Sequence, residues 1–314
     1  MRHKVPIVHV PLTGGLGNQL FQLAAGLSLQ NRKIHLLAKL GRPRLNSENL
    51  PAIVSFTLPQ NVNLFNEKFS SSFLTKVYGY ILRTGISPRN WECSALVKKL
   101  TLLSASLILS TRYRIFLKLS RSSGVGYSEI SPKSSMIIGY FQTYRFAQLP
   151  HVNSELKALR FAQQSDVVEK YRKLSVNEAP IVVHMRLGDY LVESSFGIPS
   201  EKYYRSAIQK LVSEFPDSKI WLFSDDPLEA QRKFPKELEH KLRLVEEVET
   251  DPAAILECMR FGFAYVIANS TFSWWGAFLS HTANPSVIFP SPWFQGMDDP
   301  IDLTPDSWTS NPSF

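Results

Sequence analysis

The chain has 314 residues, 44% of them hydrophobic and 20% charged, a length for two domains or one large one and a composition that excludes a disordered chain. Its 35 Lys and Arg against 27 Asp and Glu leave a formal charge of +8, which suits a polyanionic partner: a nucleotide, a nucleic acid or an anionic membrane. No run of about 18 apolar residues is present to span a bilayer. The short N-terminal apolar stretch is interrupted by Pro6, His9 and Pro11 and does not read as a signal peptide. Cys93 and Cys258 lie far apart without metal-ligand spacing, as expected of reduced thiols in a cytosolic setting.

Ile7 to Leu12 reads as the first strand, followed by a glycine-rich turn from Thr13 to Gln19 and a helix from Leu20 to Gln30. Strand, glycine turn and helix present backbone N–H groups to an anion or a sugar. The glycines at 14, 15 and 17 match neither the dinucleotide fingerprint nor a P-loop, and by spacing alone a tight strand-helix connection is the plainer reading. Ile34 to Leu37 completes a βαβ unit. Residues 66 to 133 carry 11 Lys and Arg against 3 Glu, counted along the chain, interleaved with Tyr78, Tyr80, Trp91, Tyr113 and Phe116. Such a segment lies on an anionic membrane, or forms a helical cover with solvated charges. No base-reading motif supports nucleic acid.

Ser135 to Gly139 reads as another strand, running into the aromatic, hydrogen-bonding stretch Gly139 to Tyr144. Gln163 to Pro180 is polar and helical in pattern, and the domain boundary is expected near its end. In the second half, Ile181 to Val183 is a buried strand that breaks into His184, Arg186, Gly188 and Asp189. Open α/β sheets place ligands at such strand ends. A guanidinium there suits phosphate; the plainer reading is a surface ion pair between Arg186 and Asp189. A helix over Ser200 to Phe215 and a strand over Lys219 to Phe223 follow. Asp226-Pro227 and Asp251-Pro252 both read as helix caps. Leu242 to Val245 and Tyr265 to Ala268 are further strands. Asn269 to Gly276 then sets three hydroxyls at a strand-to-helix junction, and Val287 to Pro290 is expected as the last core strand.

Five blocks together are informative: Gly14 to Gln22, Gly139 to Gln142, His184 to Tyr190, Phe223 to Asp226 and Asn269 to Gly276. On these blocks, in this order and over nearly its whole length, the chain resembles the α-1,2-fucosyltransferases of glycosyltransferase family 11. The resemblance implies a GT-B type α/β protein with two Rossmann-like doubly wound domains facing across a cleft. Residues 1–175 would form the acceptor side, with a basic helical insertion at 66–133, and 176–314 the donor side. It implies inverting transfer of L-fucose from GDP-β-L-fucose to a galactose 2-hydroxyl, without metal or other cofactor. Arg186 would neutralise the departing diphosphate, and Asp189 is a possible base, with the alternative that it orients Arg186. His184, Gly188, Asp225, Asp226, Asp251, Ser270, Thr271, Phe272 and Ser273 would bind the donor. Gly15, Gly17, Asn18, Gln19, Tyr140 and Gln142 would face the acceptor: a galactose-terminated oligosaccharide, glycolipid or lipid-linked glycan. One position departs from the family pattern, Leu187 standing where a second arginine is usual. A bacterial cytoplasmic enzyme near the inner membrane is expected. The rival readings are another GDP-sugar transferase, such as one resembling protein O-fucosyltransferases, and a basic membrane- or nucleic-acid-binding module.

Overall fold

The computed structural model describes residues 5–41, 43–46, 48–65, 126–188, 196–245, 251–296 and 298–314, a strand at 119–121 by its backbone, and a few helical positions between 73 and 108. The chain divides into two compact units, one ending at Leu159 and also holding Pro300–Leu303, the other formed by Arg160–Asp299 and Thr304–Phe314.

The first unit begins with β1 (Ile7–Pro11), α1 (Leu16–Leu27), β2 (Lys33–Leu37) and β3 (Val62–Phe65). It continues with β4 (Leu119–Arg121), β5 (Met136–Ile138) and two helices, α2 (Tyr144–Ala147) and α3 (Pro150–Ala158). All its paired strands are parallel, in the order β3-β2-β1-β5-β4. Val8, Val10, Ile34, Leu36, Met136 and Ile138 are fully buried, as parallel strands covered on both faces require. The helix expected from Leu20 starts four residues earlier. Gly14 stands at φ +76°, a region open mainly to glycine, and turns the chain so tightly that Leu16 already opens the first helical turn.

Residues 66–133 were expected to be a helical insertion. Described positions such as Phe73, Lys76, Leu103 and Leu107 are helical, but the segment also supplies β4, whose register Leu119↔Met136 joins it to the sheet. The expected membrane contact falls mostly on positions outside the described residues, as does Cys93.

The second unit opens with α4 (Asp166–Glu178), then β6 (Ile181–Met185), α5 (Glu201–Glu214), β7 (Ile220–Ser224), α6 (Pro227–Lys233) and β8 (Leu242–Leu244). There follow α7 (Pro252–Met259), β9 (Ala264–Val266), α8 (Thr271–Phe278), β10 (Ser286–Ser291) and β11 (Thr309–Pro312). The sheet is again parallel, in the order β11-β10-β9-β6-β7-β8. Counted from β6, this is the Rossmann order 3-2-1-4-5-6. On one face Ile181, Val183 and Met185 pack with Tyr203, Tyr204, Ala207, Ile208 and Leu211 of α5. Each such side chain, fully buried, contributes roughly 1.5–3 kcal/mol.

One expectation is corrected here. The boundary lies at 159/160, not 175/176, because α4 belongs to the second unit. Its one fully buried side chain, Tyr171, meets the Trp221 ring edge-on at 4.9 Å. Glu178 accepts from Trp221 Nε1 at 2.6 Å and from Arg243. Beyond Val287 to Pro290, the expected last core strand, the chain adds an exposed edge strand, β11, which pairs with β10 along Ile288↔Thr309 to Ser291↔Pro312.

Candidate functional site

In an open parallel sheet, the two loops that diverge where strand order reverses leave a crevice at the carboxyl ends. In the second unit that point lies between β6 and β9. The loops leaving these strands carry Arg186, Leu187 and Gly188 on one side and Asn269, Ser270 and Thr271 on the other. In the first unit the reversal lies between β1 and β5, whose loops carry Gly14–Gln19 and Gly139–Gln142. Four of the five sequence blocks thus supply the loops of the two switch points, and the fifth, at the end of β7, supplies Asp225.

Asp225 organises the β6 loop. Its carboxylate accepts the N–H of Leu187 at 2.8 Å and of Gly188 at 3.0 Å, and its Oδ2 stands 3.3 Å from Arg186 Nε. A Cβ on Gly188 would come within 2.7 Å of that oxygen, so a larger residue there would push the carboxylate from its present position. The Arg186 side chain keeps 21% of its exposure, enough to meet a ligand while its direction is set. Leu187 points the other way into the core, 4% exposed. The departure from the family pattern is therefore a packing residue. Asp189, placed beside Arg186 in the sequence, lies outside the described residues.

His184, on the last turn of strand before this loop, is buried. Burial, reinforced by the positive charge of Arg186 and partly offset by Asp225, lowers its pKa to about 3. The imidazole is therefore neutral at pH 7. Its ring lies 6.0 Å from that of Phe272, and its Nδ1 has no hydrogen-bond partner among the described residues.

On the other loop, Ser270 caps α8 by accepting from the N–H of Phe272. Thr271 and Phe272 remain partly exposed in the first turn. Ser273 does not share this position. It is fully buried, and its hydroxyl donates to the carbonyls of Ala268 and Ser270, so it cannot hold a phosphate as expected. Asn269 ties the Phe196 and Gly197 carbonyls to the same junction. Asp226 caps α6 by accepting from Glu229 N. Buried Asp251 caps α7 by accepting from Ala253 N at 2.8 Å. Both capping readings of the sequence therefore hold.

In the first unit, Gly15 is the N-cap residue of α1, and Gly17, Asn18 and Gln19 form its first turn. The Gln142 amide donates to Asn18 Oδ1 at 2.9 Å, bringing the two loops together. Gln142 Oε1 is buried without a partner among the described residues. Tyr140 follows β5 partly exposed, its hydroxyl pKa raised by burial. Gln19 departs from its expected role. It is fully buried, donating to the Gly14 and Arg44 carbonyls and accepting from Ile53 N, so no hydrogen-bonding capacity faces outward. Sequence reasoning also assigned no role to Gln22, which accepts from Thr13 N and donates to the Gly139 carbonyl, stitching the ends of β1 and β5. The available signal was a further amide, three residues after Gln19, on the apolar stretch of the helix.

Among the described residues, no three His, Cys, Asp or Glu side chains converge as metal ligands, and no helix is long and apolar enough to cross a membrane.

Two parallel-sheet Rossmann-type units with polar motifs at both switch points define the fold class of the GT-B glycosyltransferases. The chain belongs to the family described as Glycosyl transferase family 11, whose profile matches residues 7–292, and it is a glycosyltransferase. Among curated relatives it is 28% identical over 324 residues to an alpha-1,2-colitosyltransferase of Escherichia coli, covering 96% of this chain and 98% of that protein. It is 29% identical over 318 residues to the O-antigen biosynthesis glycosyltransferase WbnK of Escherichia coli, covering 95% and 98%. Among solved structures it is similar to the NodZ α-1,6-fucosyltransferase soaked with GDP-fucose, at 13% identity and a TM-score of 0.47 over 88% of this chain and 93% of that one. The ADP-heptose heptosyltransferase II of Escherichia coli gives the same TM-score at 12% identity, over 98% and 90%.

Proposed function

We propose that the chain transfers L-fucose from GDP-β-L-fucose to the 2-hydroxyl of a galactose residue on a glycan, with inversion. The observation that carries the reading is Arg186, aimed by Asp225 at the β6/β9 switch point of a family 11 chain. The bond between the anomeric carbon and the diphosphate oxygen breaks, and negative charge gathers on the departing GDP. A guanidinium fixed in advance stabilises that charge most where it grows. In this reading it supplies the positive charge a metal would otherwise bring. The α8 N-terminus, with Thr271 and Ser270, adds backbone donors for the phosphates. Neutral His184 offers its uncharged ring to the nucleotide, and Asp226 and Asp251 serve donor recognition only through the helices they cap.

The acceptor hydroxyl loses its proton as its oxygen bonds to the sugar. A carboxylate is the chemically suited recipient, and Asp189, next in sequence to Gly188, is assigned that role. Asn18 and Gln142 present the amides that would orient the acceptor. Bacterial glycan assembly, at or near the inner membrane, is the setting this reading favours, since both relatives belong to Escherichia coli and one is named for O-antigen biosynthesis.

A second donor is favoured by one observation, the relative named as a colitosyltransferase; colitose is a deoxy relative of fucose. The test is thermal unfolding with GDP, UDP, ADP or no nucleotide, on wild type and Arg186→Ala, followed by mass spectrometry of a β-galactoside incubated with GDP-fucose or GDP-colitose. At a hundredfold excess over its dissociation constant, a ligand adds about 2.7 kcal/mol of stability. Stabilisation by GDP alone, lost in Arg186→Ala, supports the donor site, and the mass added identifies the sugar. Equal stabilisation by UDP, or none, sinks the reading.

A further inference from the structure

A cleft of about 610 Å³ opens in the first unit, away from the motif loops. Its volume is that of a small-ligand site. It is lined by residues between Ser28 and Arg32 after α1, by others between Tyr127 and Pro132, and by α2 and the residues that follow it. The glycine motif sits at the opposite end of α1, twelve residues long and so about 18 Å away. None of the five sequence blocks supplies its lining.

The walls are held by bonds within the unit. The Arg32 guanidinium donates to the carbonyls of Ser134 and Pro132. Tyr127 N donates to the Ile301 carbonyl and Tyr144 N to that of Asp302, both at 2.9 Å. Arg145 Nε stands 2.7 Å from Asp302 Oδ2, and its guanidinium lies 5.0 Å over the Tyr127 ring. Tyr127 in turn packs on Phe146 at 5.4 Å.

The charges decide which ligand fits. Asp302 offsets Arg145, and Glu129 shares the lining with Arg32. With two carboxylates set against two guanidiniums, and Arg32 engaged by backbone carbonyls, the cleft is a poor trap for phosphate or nucleotide and a better surface for an uncharged, hydroxyl-rich molecule. Tyr144, partly exposed in the lining, brings a ring body against which the apolar face of a sugar packs. Glu129 accepts hydrogen bonds from hydroxyls, and the exposed Gln148 amide both donates and accepts.

We propose that this cleft binds an uncharged stretch of the acceptor glycan, remote from the galactose that is modified. The proposal rests on the transferase reading given above. Binding made far from the reacting bond is the same before and during reaction, so it lowers KM for long acceptors and leaves kcat alone.

The test uses the full chain as wild type and as the double variant Glu129→Gln, Gln148→Ala, whose side chains are exposed; a retained GDP-induced thermal shift certifies its fold. The probes are methyl β-galactoside and a neutral galactose-terminated pentasaccharide. Direct binding is measured by calorimetry without donor, and KM and kcat with donor. Wild type should bind the pentasaccharide more tightly than the monosaccharide. The double variant should weaken pentasaccharide binding and raise its KM about tenfold, with kcat and the monosaccharide KM unchanged. Equal binding of the two sugars by wild type overturns the proposal, as does a double variant that changes both alike or neither. If GDP gives no thermal shift, the transferase reading fails by itself. Calorimetry on the two chains, their folds then certified by matching circular dichroism, still decides whether the cleft holds a glycan.

Discussion

Asp225 Oδ2 lies 3.3 Å from Arg186 Nε while the same carboxylate accepts the N–H groups of Leu187 and Gly188. One side chain from β7 thus sets both the course of the β6 loop and the direction of its cation. Asp225→Ala strands those two N–H groups and should cost about 1–3 kcal/mol in urea unfolding. Its GDP-induced thermal shift should fall toward that of Arg186→Ala. Asp225→Asn keeps one acceptor oxygen and should lie between. A wild-type GDP response in Asp225→Ala would remove Asp225 from the account.

Leu187 carries a different prediction. The family pattern has arginine there, so Leu187→Arg invites the expectation of a stronger donor site. The side chain is 4% exposed in the core beside α5, where a guanidinium would be desolvated without a partner. The variant should lose about 3 kcal/mol or more of stability and gain no GDP affinity. A stable variant with tighter GDP binding would show that position 187 can turn outward.

His184 predicts a pH dependence. Its folded pKa, about 3, lies below the ordinary 6.5, so the unfolded chain binds the extra proton first as pH falls. Stability from this group is therefore full above pH 6.5 and declines toward pH 3, at up to about 1.4 kcal/mol per pH unit. Burial lowers His9 and His35 in the same direction, so the contribution of His184 is read by difference. His184→Asn should show a shallower loss of stability than wild type between pH 6.5 and 5, above the carboxylate range. Parallel curves would place the proton elsewhere.

The sequence showed most of the parallel strands because each is a short apolar run between turn residues, and it located the motif loops because glycine, arginine and hydroxyl clusters interrupt those runs. What it hid has physical reasons. β11 reads Thr-Ser-Asn-Pro, an edge strand without an apolar signal, legible only through its partner. α4 buries a single side chain, Tyr171, so it resembles a linker until Trp221 is seen against it. Gln19 and Ser273 look like ligand contacts because they are polar residues in glycine- and hydroxyl-rich motifs. Their bonds go instead to backbone carbonyls that only the folded turns bring within reach. Asp189 was the nearest carboxylate to Arg186 along the chain, whereas the described partner, Asp225, lies 39 residues further on, just past the neighbouring strand.

The return of Pro300–Leu303 to the first unit bears on how the chain is made. The common order for a two-unit protein is that the leading unit closes while the trailing one is still being synthesised. Here the leading unit receives the Ile301 and Asp302 carbonyls that anchor Tyr127 and Tyr144, and the carboxylate that holds Arg145, only after β10 of the trailing unit has left the ribosome. A nascent chain stopped just before Pro300 would carry all the strands of its first sheet and still leave these three positions untied. A stretch translated late thus completes the part that was begun earlier.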